Sequence, residues 1–221
     1  MFEIKQFSFN IFEENTIIVR KDSNSAVIVD PGCYNDNERA ALTGFLASNG
    51  ITPAAIILTH GHPDHIFGVK YLQERFGIPV YMHPDDSATL GYSERLSSKL
   101  GLTPPDISFS FEPVRDGDKL LLGGFCFEII HTPGHTPGGV CYYDRNEGIV
   151  FTGDTLFAGT IGRSDLLMGD YDKLIVSVME KLMLLDSSVE VLPGHGGKTT
   201  IGYERMNNPF LEPFNEPEEE L

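Results

Sequence analysis

Three histidines and an aspartate lie within six positions of one another in the segment THGHPDH. His60, His62 and His65 are three of the seven histidines in this chain of 221 residues, and Asp64 precedes the last of them. A lone histidine is usually a packed or solvent-facing residue, whereas imidazoles together with a carboxylate suit zinc, iron or manganese. On a tight loop, residues 60 and 62 can face one side while residues 64 and 65 face the other. The spacing therefore predicts ligands that are divided between two metal ions.

Three further segments place a candidate ligand where an apolar run stops. His135 occurs in HTPGHTPG, Asp154 in FTGDT and His195 in LPGHG. Glycine near each of these residues lets the backbone approach closely, and proline stiffens the turn. One such histidine alone would be interpreted as an ordinary loop residue. Together with the first cluster, the three positions favour a metal centre.

The segments before these motifs have the pattern of strands that end in loops. Residues 54–58, AAIIL, are wholly apolar, which is typical of a strand buried on both faces, and they lead into the first cluster. Helices are predicted at 37–49, 69–76 and 171–185, and the polar segment 85–105 predicts only short helices and loops. Other strands are predicted at 2–9, 16–20, 26–30, 79–82, 119–122, 125–131, 140–143, 149–152 and 189–192.

Strands and helices alternate in both halves of the chain, without a long linker between the halves. Two strand-rich halves in one domain predict an α/β fold in which two sheets face each other and helices cover the outside. We expect a single domain over residues 1–211. The acidic, proline-broken segment 212–221 is expected to be a frayed tail.

The composition restricts the class of partner. The chain has 32 acidic and 16 basic residues, a net charge of -16, and no basic block that would bind a nucleic acid. No apolar run is long enough for a membrane span, no signal-peptide pattern is visible, and three scattered cysteines fit reduced thiols. We therefore expect a cytoplasmic protein with a small-molecule substrate. The oligomeric state stays open.

In their order, the motifs HxHxDH, HTPGHTPG, TGD and PGHG resemble those of the metallo-β-lactamase superfamily, over about residues 30–195. The resemblance implies a four-layer αββα sandwich. It also implies two divalent transition-metal ions bridged by Asp154, with zinc as the first choice and iron or manganese as alternatives. It assigns the remaining ligands to a first ion, held by His60, His62 and His135, and a second ion, held by Asp64, His65 and His195.

Within this superfamily, the segments FTGDTLFAGTIGRSD and PGHGGKTTIGYERMNNPF are similar to those of glyoxalase II, a hydroxyacylglutathione hydrolase, and especially to its short bacterial members. The similarity implies hydrolysis of a thioester such as S-lactoylglutathione by a hydroxide that bridges the metals, with Asp64 orienting the hydroxide. Only about 26 residues follow His195 in this sequence, so we expect it to lack the helical domain that supplies much of the glutathione site in long glyoxalase II enzymes. The thiol carrier and the acyl group therefore stay open.

A second activity belongs to proteins with much the same motifs. Persulfide dioxygenases resemble this chain in HxHxDH, in the TPGH loop and in the segment GRSD, yet they use one iron ion and oxygen. They keep the later histidines without binding a second metal, so the ligands alone do not exclude this activity. True β-lactamases usually carry a cysteine where Asp154 stands, which disfavours them.

Other polar residues near the motifs have competing interpretations. Asp30, in VDPG, is either a turn residue or a hydrogen-bond acceptor for a metal-binding histidine. His131 begins HTPGHTPG, and because every ligand position is filled we interpret it as a residue that orients this loop. Arg163, in GRSD, is either a solvated loop charge or a residue that pairs with Asp165 or with a substrate carboxylate. His83 is expected to be an ordinary surface histidine.

Overall fold

The computed structural model describes residues 2–21 and 24–212. Its helices are α1 (Asp36–Ser48), α2 (Pro63–Ile66), α3 (Val69–Phe76), α4 (Ser87–Lys99), α5 (Tyr171–Glu180) and α6 (Ile201–Asn207). Its strands are β1 (Phe2–Phe9), β2 (Glu14–Lys21), β3 (Ser25–Val29), β4 (Thr52–Ile57), β5 (Val80–Met82), β6 (Glu112–Pro113), β7 (Lys119–Leu122), β8 (Phe125–His131), β9 (Val140–Asp144), β10 (Ile149–Gly153), β11 (Leu156–Phe157), β12 (Thr160–Ile161), β13 (Glu190–Pro193) and β14 (Thr199–Thr200).

Most of these strands form two six-stranded sheets, in the orders β1-β2-β3-β4-β5-β6 and β14-β13-β10-β9-β8-β7. Neighbouring strands from β3 to β6 are parallel, as are β10 and β13, and the other neighbours in the two sheets are antiparallel. As a result, β1, β3 and β4 run in one direction in the first sheet. In the second sheet β8, β10 and β13 also share one direction.

The two sheets pack face to face and bury alternate residues of each strand. Val27, Val29 and Ile57 belong to the core between the sheets, together with Phe127 and Phe151 of the second sheet. The intervening side chains of the first sheet pack against α1 and α3, and the outer face of the second sheet packs against α5 and α6. The structure thus confirms the four-layer αββα sandwich.

The prediction of only short helices and loops for residues 85–105 was wrong, because α4 is a regular helix of 13 residues. Its buried face consists of Thr89, Leu90, Ser93 and Ser97. Small hydroxyl side chains at helical spacing give no hydrophobic periodicity, so the pattern that signals a packed helix is missing. The helix predicted at 171–185 is interrupted, since α5 ends at Glu180 and a short 3₁₀ turn follows.

The predicted acidic tail lies outside the described residues, apart from Glu212. Within the described ranges, no helix has both the length and the apolar character needed to cross a membrane.

Candidate metal centre

The candidate ligands lie at the edge of the sandwich where strands of both sheets end. The loop after β4 carries His60 and His62, and α2 carries Asp64 and His65, with Pro63 at its first turn. Proline is favourable there because its fixed φ suits a helix start and its missing N–H would have no helical partner. The loops after β8, β10 and β13 bring the other candidates to the same edge, and these are His135, Asp154 and His195.

His60, His62 and His135 form the first group, and their ring nitrogens converge within 4.8 Å. The His135 Nδ1–H donates a hydrogen bond to the carbonyl oxygen of Arg163 at 2.7 Å, which directs Nε2 into the site, 2.8 Å from Nδ1 of His62. Burial lowers the pKa of His60 well below its ordinary value and lowers the pKa of His62 to about 3. The two rings are therefore neutral, which is the state that binds metals.

Asp64, His65 and His195 form the second group, again within 4.8 Å. The His65 Nδ1–H donates to Oδ2 of Asp30 at 3.0 Å, and the His195 Nδ1–H donates to the carbonyl oxygen of Phe12 at 3.0 Å. With Nδ1 of each ring donating to these acceptors, the two Nε2 atoms both point into the site and lie 3.3 Å apart. Positive charge between the two rings, either a proton on one Nε2 or a metal ion bound by both, makes this arrangement favourable.

The Asp154 carboxylate lies between the two groups. Its Oδ1 is 3.4 Å from Nε2 of His65, and its Oδ2 is 3.4 Å from Nε2 of His135 and 3.7 Å from Nε2 of His195. Burial alone would raise the pKa of Asp154, but the neighbouring histidines, above all His65, outweigh burial and hold it well below its usual value. Burial likewise opposes protonation of His65, yet Asp154 and Asp64 raise its pKa well above the ordinary value.

Three buried polar atoms of the centre have no hydrogen-bond partner among the described residues: Nε2 of His60, Nε2 of His62 and Oδ1 of Asp154. Buried polar atoms without partners are costly, and a metal ion is a partner that imidazole nitrogens and carboxylate oxygens accept. The residues present therefore fit divalent metal ions. The structure brings together all seven side chains that the sequence indicated, namely His60, His62, Asp64, His65, His135, Asp154 and His195.

Asp30 is more than a turn residue, since its carboxylate holds His65 and the start of the ligand loop. It accepts hydrogen bonds from the backbone N–H of Thr59 at 2.7 Å and from Oγ1 of Thr59 at 2.5 Å, besides the bond from His65. Its φ of 46° lies in the left-handed region, which is unfavourable for a residue with a side chain. The three hydrogen bonds stabilise that conformation.

Asp86 is a buried carboxylate that the sequence did not single out. Its oxygens accept hydrogen bonds from the backbone N–H groups of Gly61 at 2.6 Å and Gly138 at 2.7 Å, and from the hydroxyls of Thr89 and Thr136 at 3.1 Å. The ligand loop is thereby joined to the loop of His135. A Cβ on Gly138 would lie 2.5 Å from the Asp86 backbone nitrogen, so this contact requires glycine. Nothing in the polar segment distinguishes Asp86 from exposed Asp85.

Asn15 performs the corresponding task for the loop of His195. Its Nδ2 donates to the carbonyl oxygens of Pro193 at 3.0 Å and Gly196 at 2.9 Å, and its backbone N–H donates to Gly194 at 2.7 Å. The side chain is 4% exposed. The available signal in the sequence was a polar residue shortly before the apolar run of Ile17, Ile18 and Val19.

The expectation for His83 was wrong, because its side chain is buried and stacks on His131 with ring centroids 4.2 Å apart. The His131 Nε2–H donates to the carbonyl oxygen of Pro137 at 2.9 Å, so His131 contacts the HTPGHTPG loop and stands apart from the two ligand groups.

Arg163 forms a bidentate ion pair with Asp165, in which both N···O distances are 2.9 Å.

A cavity of about 820 Å³ opens over the two ligand groups. Five of the seven candidate ligands line it, and Arg163 lies on its wall. The centre is therefore accessible to a small molecule and to water.

The comparison with protein families matches residues 10–195 to the model described as the metallo-β-lactamase superfamily. The chain therefore belongs to this superfamily of metal-dependent hydrolases. Among curated relatives, it is 44% identical to an uncharacterised Mycobacterium tuberculosis protein over 207 residues, 89% of this chain and 91% of that protein. It is 37% identical to the hydroxyacylglutathione hydrolase GloC of Haemophilus influenzae over 205 residues, 90% of this chain and 93% of the relative.

Solved structures of similar fold carry different descriptions. The BLEG-1 B3 metallo-β-lactamase superposes with a TM-score of 0.87 at 39% identity, covering 95% of this chain and 99% of the other. TTHA1623 in a di-iron-bound form has a TM-score of 0.85 at 35% identity, with 94% and 100% covered. ETHE1 from Myxococcus xanthus is more distant, with a TM-score of 0.76 at 25% identity, and 98% and 92% covered.

Proposed function

We propose that the chain is a dinuclear metal-dependent hydrolase that cleaves a small-molecule thioester. The observation that carries the proposal is the pair of ligand groups on either side of Asp154. His60, His62 and His135 would hold a first ion and Asp64, His65 and His195 a second, and Asp154, which lies between the groups, would be shared by both. When bound, such ions supply hydroxide at neutral pH, because they lower the pKa of water to about 7, and they polarise the carbonyl under attack.

The residues around the centre suit a thioester because its leaving group needs little help. A thiolate leaves without a strong general acid, and the acidic side chains lining the cavity, Asp64 and Asp154, both face histidines of the centre. Oδ2 of Asp64 lies 3.3 Å from Nε2 of His195, at the second group, where it can orient the attacking water. The similarity to the hydroxyacylglutathione hydrolase GloC supports the same substrate class.

Zinc is the metal we propose, since neutral imidazoles and carboxylates at an open site are its usual ligands in hydrolases. The di-iron form of TTHA1623 makes iron the principal alternative. A persulfide dioxygenase would instead need a single iron ion and oxygen. The two functions therefore differ in metal content and in oxygen dependence.

The test compares thioester hydrolysis with and without oxygen. We expect the zinc-loaded protein to cleave S-lactoylglutathione at equal rates in air and under argon, and to lose activity with a chelator until zinc is restored. Asp154→Asn should abolish cleavage because the shared ligand is weakened. Asp172→Asn, the same change at an exposed position of α5, should leave it intact.

Two results would contradict the proposal. One is oxygen uptake with glutathione persulfide by an iron-loaded protein that cleaves no thioester. The other is cleavage of a β-lactam without cleavage of any thioester, since a B3 metallo-β-lactamase is among the similar structures.

A further inference from the structure

The cavity over the ligand groups has a predominantly apolar wall. Beyond the candidate ligands, its large apolar side chains are Phe12, Leu96, Leu100, Phe157, Ile161 and Leu166. These residues come from the β1–β2 turn, from α4 and the residue that follows it, and from residues 157–166, which begin in β11 and end before α5. A molecule whose reacting carbonyl lies at the metal centre therefore places its substituents against hydrocarbon.

The same cavity offers little to a charged substituent. Arg163 is the one lysine or arginine among the described residues that line it, and its guanidinium is already held by Asp165 at 2.9 Å through two nitrogens. The chain as a whole has a net charge of -16. The two carboxylates of glutathione would have to compete with Asp165 for this single guanidinium, and a charge left unpaired loses hydration on entering an apolar cavity.

Helix α4 holds part of this wall at a fixed place relative to the ligands. Oγ of Ser93 donates to the carbonyl oxygen of Gly61 at 2.6 Å, between the first two histidine ligands, and a Cβ on Gly61 would lie 3.1 Å from Leu90. One and two turns further along, Leu96 and Leu100 reach the cavity, and Leu100 is 52% exposed at its mouth. The wall is thus tied to the centre by the backbone of the ligand loop.

We propose, resting on the proposed thioesterase function, that the substrate is a thioester with an uncharged, apolar group of several carbons that lies against Leu96 and Leu100. In the reaction, the oxygen of one water forms a C–O bond to the carbonyl carbon while the C–S bond breaks. The electron pair of that bond leaves with the thiolate. The products are a carboxylate, a thiol and one proton. The apolar group is either the acyl chain or the chain of the thiol.

The test uses two series of thioesters that separate these two sources. One series lengthens the acyl group on N-acetylcysteamine from acetyl to octanoyl, and the other keeps acetyl and lengthens an alkanethiol. We expect kcat/KM to rise in one series by about three- to fourfold per methylene, the value for transfer of a CH₂ group from water to an apolar surface. S-lactoylglutathione should be a poorer substrate than the longer members.

Variants test whether the gain in kcat/KM per methylene arises from contact with Leu96 and Leu100. Leu96→Ser and Leu100→Ser should reduce the gain per methylene, and Leu100 is exposed enough that its replacement leaves the core untouched. Leu121→Ser, the same change at a residue of β7 that is 79% exposed and does not line the cavity, should leave the gain unchanged. Calorimetric binding of S-alkyl-N-acetylcysteamine thioethers, which cannot be hydrolysed, should show the same chain-length dependence and the same loss in the two variants.

The possible failures are distinguishable. If no thioester is cleaved, the proposed function is wrong. If thioesters are cleaved but neither kcat/KM nor thioether affinity depends on chain length, or if the two leucine variants behave like Leu121→Ser, the apolar substrate class is wrong and the thioesterase function stands.

Discussion

Three histidines of the centre are oriented by hydrogen bonds from Nδ1, the ring nitrogen that points away from it. His65 is held by Asp30, His135 by the Arg163 carbonyl and His195 by the Phe12 carbonyl. Such outer partners set the tautomer and the direction of the metal-binding nitrogen. The ligands could be predicted from sequence because their residue types and spacing are distinctive. Two of the three outer partners could not, because a backbone carbonyl carries no signature of residue type.

A substitution of Asp86 measures how much the hydrogen bonds that hold the ligand loops contribute to stability and metal binding. In Asp86→Asn, either orientation of the amide places an NH₂ group against the backbone N–H of Gly61 or of Gly138. A buried donor left without its acceptor costs about 1–3 kcal/mol, so we expect a loss of that size in the free energy of unfolding by urea. We also expect the first ion to bind about 10–100-fold more weakly, as is typical when an outer partner is lost.

Zinc titration followed by NMR of the histidine rings measures that effect for each ligand. In Asp86→Asn, His60 and His62 should saturate at higher zinc concentration than in the wild-type protein. Asp85→Asn is the matched control, since the neighbouring carboxylate is 60% exposed. Wild-type affinity at His60 in Asp86→Asn would show that Asp86 does not support the ligand loop.

Strands, helices and turns also position the loops that carry the ligands, and fewer of these elements could be predicted from the sequence. Strands β3, β4 and β10 could be predicted because their apolar runs end at recognisable motifs. Helix α4 could not, because it packs through Thr89, Ser93 and Ser97. The turn between β1 and β2 also carried no recognisable signal, although Asn10 in this turn donates to the backbone oxygens of Gly32 and Asp64 at 3.0 Å.

A substitution of Asn15, in the β1–β2 hairpin, should weaken binding of the second ion, whereas the substitution of Asp86 should weaken binding of the first. Asn15→Asp would turn a carboxylate towards the carbonyl oxygens of Pro193 and Gly196, which now accept hydrogen bonds from the amide. We expect the loop of His195 to move and the second ion to bind about 10–100-fold more weakly. In the same NMR titration, His195 should saturate late while His60 is unchanged.

Asn49→Asp is the control for this change. Its side-chain nitrogen also donates to a backbone carbonyl, at 2.8 Å from Phe45, but at the exposed end of α1. Equal weakening of both ions in Asn15→Asp would indicate a general loss of structure rather than a local effect on the second group.

For the molecule as a whole, the layering could be predicted but the order of the strands could not. Continuous apolar runs, such as that of β3, indicate that both faces of a strand are buried. The order β14-β13-β10-β9-β8-β7 depends on pairing between residues far apart in the chain, such as Val150 with Val191. Local periodicity contains no information about such pairs. For the same reason the sequence supplied the ligands but not the wall of the cavity, which three separate segments build.

The central claim is that one centre holds two ions, and the number of zinc ions bound at saturation tests it most directly. The metal-free protein would be titrated with zinc to saturation, freed of excess metal and measured by elemental analysis against protein concentration. We predict two ions per chain, because the side chains of the two groups, His60, His62 and His135 and then Asp64, His65 and His195, are more ligands than one tetrahedral ion can take. Saturation at one ion per chain would contradict the account.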